Sequence, residues 1–170
     1  HKETSGKLTP GLASWKVSPD GKTIEFTLRK GVKFHSGDAF TAKDVQFTFE
    51  RTKKVNRYMN TVNKNLEKIE VLDDYRIRFV FKSPDVTLIP KRFYVMISSK
   101  SYHDRVGEDK FAREPVGTGP YKFVRYEQGQ YLDLERFEDY WGKKPTVREA
   151  RIYYVQEDTT RLAKLQAGEV

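Results

Sequence analysis

The sequence predicts an α+β fold of mainly antiparallel sheets with interspersed helices. Three observations carry this. Alternating apolar and polar residues, the period of a strand with one apolar face, come in pairs joined by short turn signals. Helical patterns are inserted between such pairs, whereas a doubly wound parallel sheet needs a helix between most successive strands. No internal repeat and no low-complexity segment interrupts this order.

The first pair occupies residues 12–29. Ser18-Pro19-Asp20-Gly21 is its turn: Pro19 presets φ at the second position, and Gly21 accepts the positive φ that closes it. Ile24, Phe26 and Leu28 then alternate with Glu25, Thr27 and Arg29. Gly31 and Gly37 bracket a loop that holds Phe34 and His35. Thr41 stands where a helix N-cap belongs, with Asp44 three residues on, a variant of the capping box. The helix should run from Ala42 to about Lys53, with Ala42, Val45 and Phe49 on its apolar side.

Residues 56–65 are polar and read as a loop. A second hairpin follows, with Ile69 and Val71 alternating before the turn Asp73-Asp74, and Tyr75, Ile77, Phe79 and Phe81 after it. Pro84 and Asp85 should start a short helix that Pro90 interrupts. Residues 93–97 suggest a short strand, and residues 99–106 a turn or two of helix. A composition change places a subdomain boundary at residues 98–101. Beyond it, residues 121–126 and 132–137 are strands about the turn Gln128-Gly129, and residues 148–155 alternate again with Ala150, Ile152 and Tyr154 on one side. Residues 158–167 are an amphipathic helix stopped by Gly168. Trp15, Phe26, Phe49, Ile77, Phe79, Phe123 and Ile152 are the expected core.

Composition bounds the function. In 170 residues, 37% are hydrophobic, 14% aromatic and 33% charged, and no apolar run reaches membrane-spanning length. Cysteine is absent, which excludes disulfides, thiolate catalysis and cysteine-bound metal. The net charge of +8 is uneven: residues 1–100 hold 20 Lys and Arg against 11 Asp and Glu, and residues 101–170 hold 12 against 13. A basic first part raises the alternative of a nucleic-acid-binding module. Its charges alternate with apolar residues along strands, which is the pattern of a solvated exterior, and no aromatic-plus-basic RNA-binding motif is present.

The chemistry-bearing residues are sparse. His1, His35 and His103 have no ligand spacing, so no metal or other cofactor is expected, and His35 reads as a loop residue bonded to backbone. No Gly-x-Ser-x-Gly elbow and no Ser/His/Asp set can be assembled, which argues against an enzyme. Gly117-Thr118-Gly119-Pro120 has the look of a phosphate loop, but it lacks the lysine of GxxxxGK[ST], and Tyr121 opens a strand pattern, not a helix. Two readings of Gly117, Thr118 and Gly119 stay open: a close backbone approach that glycine permits, or contact with a ligand. Tyr58, Phe93, Tyr94, Tyr140 and Trp141 fall in loops or at element ends, where a binding surface would place aromatics.

Several stretches together carry a family resemblance. They are Ala13-x-x-x-Val17 with Trp15, Pro19-Asp20-Gly21, the run Phe26-Thr-Leu-Arg-Lys-Gly-Val-Lys-Phe-His-Ser-Gly37, Phe40-Thr-Ala-Lys-Asp-Val45, the hairpin Ile69 to Phe79, Phe111-Ala-Arg-Glu-Pro-Val-Gly-Thr-Gly-Pro-Tyr-Lys-Phe123, and Leu134 to Pro145 with Tyr140-Trp141-Gly142. In order and spacing the chain resembles the solute-binding proteins of peptide/nickel-type ABC importers over nearly all its length. The resemblance implies a partial first lobe of a two-lobed, periplasmic-binding-protein-like fold. Residues 1–100 would be that lobe's extra subdomain and residues 101–170 an incomplete part of its core sheet. The remainder of the lobe and the whole second lobe would lie elsewhere in a longer gene product.

It further implies an exported bacterial protein, lipid-anchored or free, outside the cytoplasmic membrane. The whole protein would capture an oligopeptide, dipeptide or similar solute, with nickel complexes, sugars and opines as variants, and deliver it to a membrane permease. Tyr58 would face the ligand, Phe93 and Tyr94 would lie in the segment that approaches the cleft, and backbone hydrogen bonds would hold an extended peptide. An incomplete sheet has an open edge and an uncovered apolar face, so self-association through residues 101–170 is expected.

Overall fold

The computed structural model describes residues 10–55, 64–84 and 95–169. In chain order its elements are β1 (Ala13–Val17), β2 (Thr23–Leu28), α1 (Ala42–Val55), β3 (Leu66–Asp73), β4 (Arg76–Phe81), α2 (Lys100–Val106), α3 (Glu108–Arg113), β5 (Tyr121–Glu127), β6 (Tyr131–Arg136), β7 (Glu149–Tyr153) and α4 (Asp158–Gln166). They form two compact units, His1–Thr118 and Gly119–Val170.

The first unit is built on an antiparallel sheet of order β1-β2-β4-β3. Its opening turn forms as the residues dictate. Gly21 N–H donates to Ser18 C=O at 2.9 Å, and Gly21 takes φ +68°. The Asp20 carboxylate accepts from the Ser18 hydroxyl at 2.6 Å and from Lys22 N–H at 3.0 Å. The alternation puts Ile24, Leu28, Ile77, Phe79 and Phe81 on one buried face. α1 covers that face with Ala42, Val45 and Phe49, all buried. The Phe49 ring meets Phe79 edge-on at 4.9 Å, and Phe79 meets Phe26 at 5.2 Å. Each fully buried large apolar side chain here contributes about 1.5–3 kcal/mol. The opposite face carries alternating charge, with Arg78 bonded to Glu25 at 3.2 Å and to Glu70 at 3.5 Å.

The start of α1 is a junction. Asp44 is buried, and its Oδ2 accepts from Thr41 N–H at 2.8 Å, the carboxylate half of a capping box. Its Oδ1 accepts from Lys100 N–H at 2.9 Å, 56 residues away. One turn on, the buried Thr48 hydroxyl donates to Asp44 C=O at 2.7 Å and accepts from Ser98 N–H at 2.9 Å. The N-terminus of α2, capped by the Ser99 hydroxyl, is thus bonded to α1 by two side chains. For this reason the expected boundary at residues 98–101 falls inside the first unit, and the compact units divide after Thr118. The stretch 95–99 joins no sheet. α3, which the sequence reading omitted, follows α2 after Gly107 and buries Phe111.

The second unit is a three-stranded antiparallel sheet, β5-β6-β7, followed by α4. One face pairs Phe123 with Leu134 and Ala150, and Tyr126 with Leu132 and Ile152. Arg151 on the other face holds Asp133 through two nitrogens at 2.6 and 2.8 Å, and its guanidinium lies 4.1 Å from the Tyr131 ring centroid. The core expectation holds for Phe49, Ile77 and Phe79 and only in part for Trp15, Phe26 and Phe123, which are half-buried. It fails for Ile152, which is 54% exposed. Alternation put Ile152 on the apolar face, but no described element covers that face at β7.

Candidate functional site

Residues 31–40 form a bracket on the first unit. Val32, Phe34 and Phe40 are buried, and the two phenyl rings meet edge-on at 6.1 Å. A bridge joins Lys33 to Ala39, and Phe34 N–H donates to Asp38 C=O at 2.8 Å. Outside the bracket, the Arg105 guanidinium of α2 donates to both oxygens of Asp38 at 3.3 and 3.0 Å. With the Ser36 hydroxyl at 2.7 Å, Arg105 holds the Asp38 carboxyl below the usual carboxylate range, against the effect of partial burial. α2 is itself bonded to α1 through Asp44, so the bracket rests on a cross-linked base.

The bracket presents His35 to the glycine loop. His35 N–H donates to Gly117 C=O at 2.8 Å, and Gly117 N–H donates to His35 Nδ1 at 3.2 Å. The expectation that His35 bonds backbone is met, with Gly117 as its partner.

The surroundings of the two glycines bear on both readings. Neither Gly117 nor Gly119 has a positive φ. A Cβ added at Gly117 would meet only His35 Cε1, at 3.8 Å, and one at Gly119 only Tyr121 C=O, at 4.0 Å; both are ordinary contacts. Neither backbone conformation nor crowding of a Cβ therefore demands glycine at these positions, while His35 approaches the Gly117 backbone through two hydrogen bonds. The contrast with Gly142 is direct, since its Cβ would lie 2.7 Å from Tyr140 Cε1.

The remaining sequence candidates behave differently. Tyr58, Phe93 and Tyr94 lie outside the described residues. Tyr140 and Trp141 are half-buried and tilted against each other at 5.2 Å, as a local cluster. Open grooves of about 560 and 540 Å³ lie on the polar side of the first sheet and on the second sheet; Lys16, Glu25, Lys68, Glu70 and Arg78 line the first, Asp133, Glu135, Glu149 and Arg151 the second. Neither includes residues 117–119. Among the described residues no three His, Cys, Asp or Glu side chains gather as a metal site, and no helix is long and apolar enough to cross a membrane. The sequence reading missed the bonds from Asp44 and Thr48 to residues 98–100. The capping-box spacing of Thr41 and Asp44 flagged the carboxylate but not its second, distant partner.

Comparison with known proteins agrees with this description. The chain is 35% identical over 193 residues to heme-binding protein A of Haemophilus influenzae, an alignment that takes in 98% of this chain and 35% of that protein. It is 34% identical over 190 residues to di/tripeptide-binding protein 1 of Pseudomonas aeruginosa, covering 96% of this chain and 35% of that protein. Its fold matches NikZ from Campylobacter jejuni, solved in complex with Ni(L-His), with a TM-score of 0.92 at 26% identity, over 100% of this chain and 35% of that one. The chain thus spans about a third of the length of these relatives. Residues 7–170 match the family model described as bacterial extracellular solute-binding proteins, family 5 Middle, and the chain belongs to that family.

Proposed function

We propose that the chain is the part of an ABC importer's solute-binding protein that supplies one wall of the ligand cleft, and that the solute is a dipeptide or short oligopeptide. The observation that supports the site is the space beside Gly117 and Gly119, where an added Cβ would make only ordinary contacts: half-buried peptide units without side chains let an extended ligand approach closely. The substrate class rests on relatives named for di/tripeptides, and the whole protein would hand its solute to a membrane permease outside the cytoplasm. In this reading Gly119–Val170 belongs to the core sheet of the first lobe and His1–Thr118 to its added subdomain. Tyr58, Phe93 and Tyr94 are kept as ligand-facing aromatics on the same family grounds. The likeness to NikZ favours a second reading, a nickel–amino acid chelate, at the same wall.

The test is amide chemical-shift mapping of the 170-residue chain. One wall binds weakly, so alanyl-phenylalanine is titrated to roughly 10 mM, where even millimolar affinity registers. Shifts at Gly117, Thr118 and Gly119 are expected, and Gly117→Ala and Gly119→Ala should lose them while unfolding at the wild-type temperature. Shifts at these amides with nickel–histidine and none with the dipeptide would transfer the site to the second reading. Silence with both would end the assignment of residues 117–119 as a ligand wall.

A further inference from the structure

We infer that His35 is the positioning residue of the 117–119 loop, gripping the Gly117 peptide with an imidazole that is neutral and protonated at Nε2 alone; the inference rests on the ligand reading of that loop. An amide N–H only donates, so the ring nitrogen that receives the Gly117 proton must present a lone pair. That nitrogen is Nδ1, which leaves Nε2 to carry the ring's single proton. The same residue's backbone N–H donates to Gly117 C=O, so both polar groups on the Gly117 residue are held by residue 35.

A grip from outside is what this loop needs. Gly117 has no side chain to limit its rotation, and a glycine loses more freedom on ordering than any other residue. A wall whose backbone a ligand approaches binds better if that backbone is already ordered. The holder must in turn be fixed, and His35 is. It follows the fully buried Phe34, sits between Gly31 and Phe40 in the bridged bracket, and is backed by the Arg105–Asp38 pair. A histidine that served only as a packing piece would need neither tautomer nor lone pair.

Nitrogen-15 spectroscopy of the imidazoles in the 170-residue chain reads the tautomer directly. A protonated Nε2 and a bare Nδ1 on His35 are expected, together with a slowly exchanging Gly117 amide. In His35→Asn the side-chain oxygen stands the same number of bonds from Cα as Nδ1 and should keep that protection. His35→Gln, whose oxygen is one bond further out, and His35→Leu, which has none, should speed Gly117 exchange by roughly tenfold or more and weaken the dipeptide shifts at Thr118 and Gly119. A proton on Nδ1 in the wild-type chain, or equal Gly117 exchange in all three variants, would overturn the role of His35. Wild-type chain with the His35 signatures intact but no response to dipeptide would overturn the ligand reading alone.

Discussion

Replacing Gly21 by valine is expected to destabilise the first unit by roughly 2 kcal/mol. The size follows from three opposing parts. Gly21 holds φ +68°, a region that costs an L-residue about 1–2 kcal/mol, with a β-branched side chain at the upper end. The new Cβ would also stand 3.2 Å from Pro84 Cβ, closer than such atoms settle, and Pro84 is a rigid ring that yields only by shifting backbone. Against these, removing a glycine restricts the unfolded chain and returns about 0.4–1 kcal/mol. Gly21→Asn separates the parts, because asparagine visits the left-handed region with less strain but meets the same proline. Urea unfolding followed by tryptophan fluorescence measures both, and Trp15 on β1 reports this hairpin. The expected order of stability is wild type, then Asn, then Val. A valine variant within about 0.5 kcal/mol of wild type would show that neither the turn geometry nor the Pro84 contact constrains this position.

Three further outcomes are expected. Asp44→Ala strands the N–H groups of Thr41 and Lys100 and should cost roughly 2–4 kcal/mol, whereas Thr48→Val, which strands only Ser98 N–H, should cost about 1–2 kcal/mol; equal, small losses in urea would refute the junction. Asp38, Asp104 and Glu108 are held below the ordinary carboxylate range, chiefly by Arg105, Lys100 and Arg51 respectively, so the folded state binds fewer protons than the unfolded one. Their stabilisation is complete above roughly pH 5.5 and is lost as pH falls through the unfolded and then the lowered folded values; Arg105→Gln should flatten the acid-side fall of melting temperature, and an unchanged slope would count against the Asp38 pair. Sedimentation velocity across a concentration series should show self-association through the second sheet, where Tyr126, Ile152 and Tyr154 are exposed together; a monomer at all concentrations would refute it.

What was legible in the sequence was whatever a few neighbouring residues decide. The first hairpin follows from Pro19, Asp20 and Gly21 together with the alternation from Ile24 to Leu28, and the register pairs Val17 with Ile24 across it. The second follows from Asp73, whose carboxylate accepts from Tyr75 N–H at 2.9 Å as a turn aspartate does. α3 was not legible because six residues, Glu108 to Arg113, are too few to show a helical period. The compact units divide after Thr118, although composition changes near Ser98, because two hydrogen bonds spanning about fifty residues tie that stretch to α1. Of the candidate site, the glycines stood out as residue types, but their meaning turned on atoms that a Cβ would or would not meet. His35 was legible as a loop histidine bonded to backbone, and only the fold supplied Gly117 as the bond.

Ile152 shows where pattern reading stops. The period of two in residues 148–155 is real: Ala150 pairs with Leu134 and Ile152 with Leu132, on the face the alternation names. Periodicity states which face is apolar, and says nothing of what lies against it. At Phe79 the same kind of alternation ends in a buried ring because α1 brings Phe49 to it. At Ile152, Tyr126 and Tyr154 the described chain brings nothing, and all three stay more than half exposed. A face patterned for burial yet left open is an apolar surface that another protein surface can cover, which is why self-association is expected through β5-β6-β7. The glycines at 117 and 119 make a different case: neither takes a positive φ and neither crowds a described neighbour, and His35 holds the Gly117 peptide. A covering layer of protein suits the apolar face, whereas the glycine loop is already ordered by His35 and would gain from a ligand only what the titration of its amides reads.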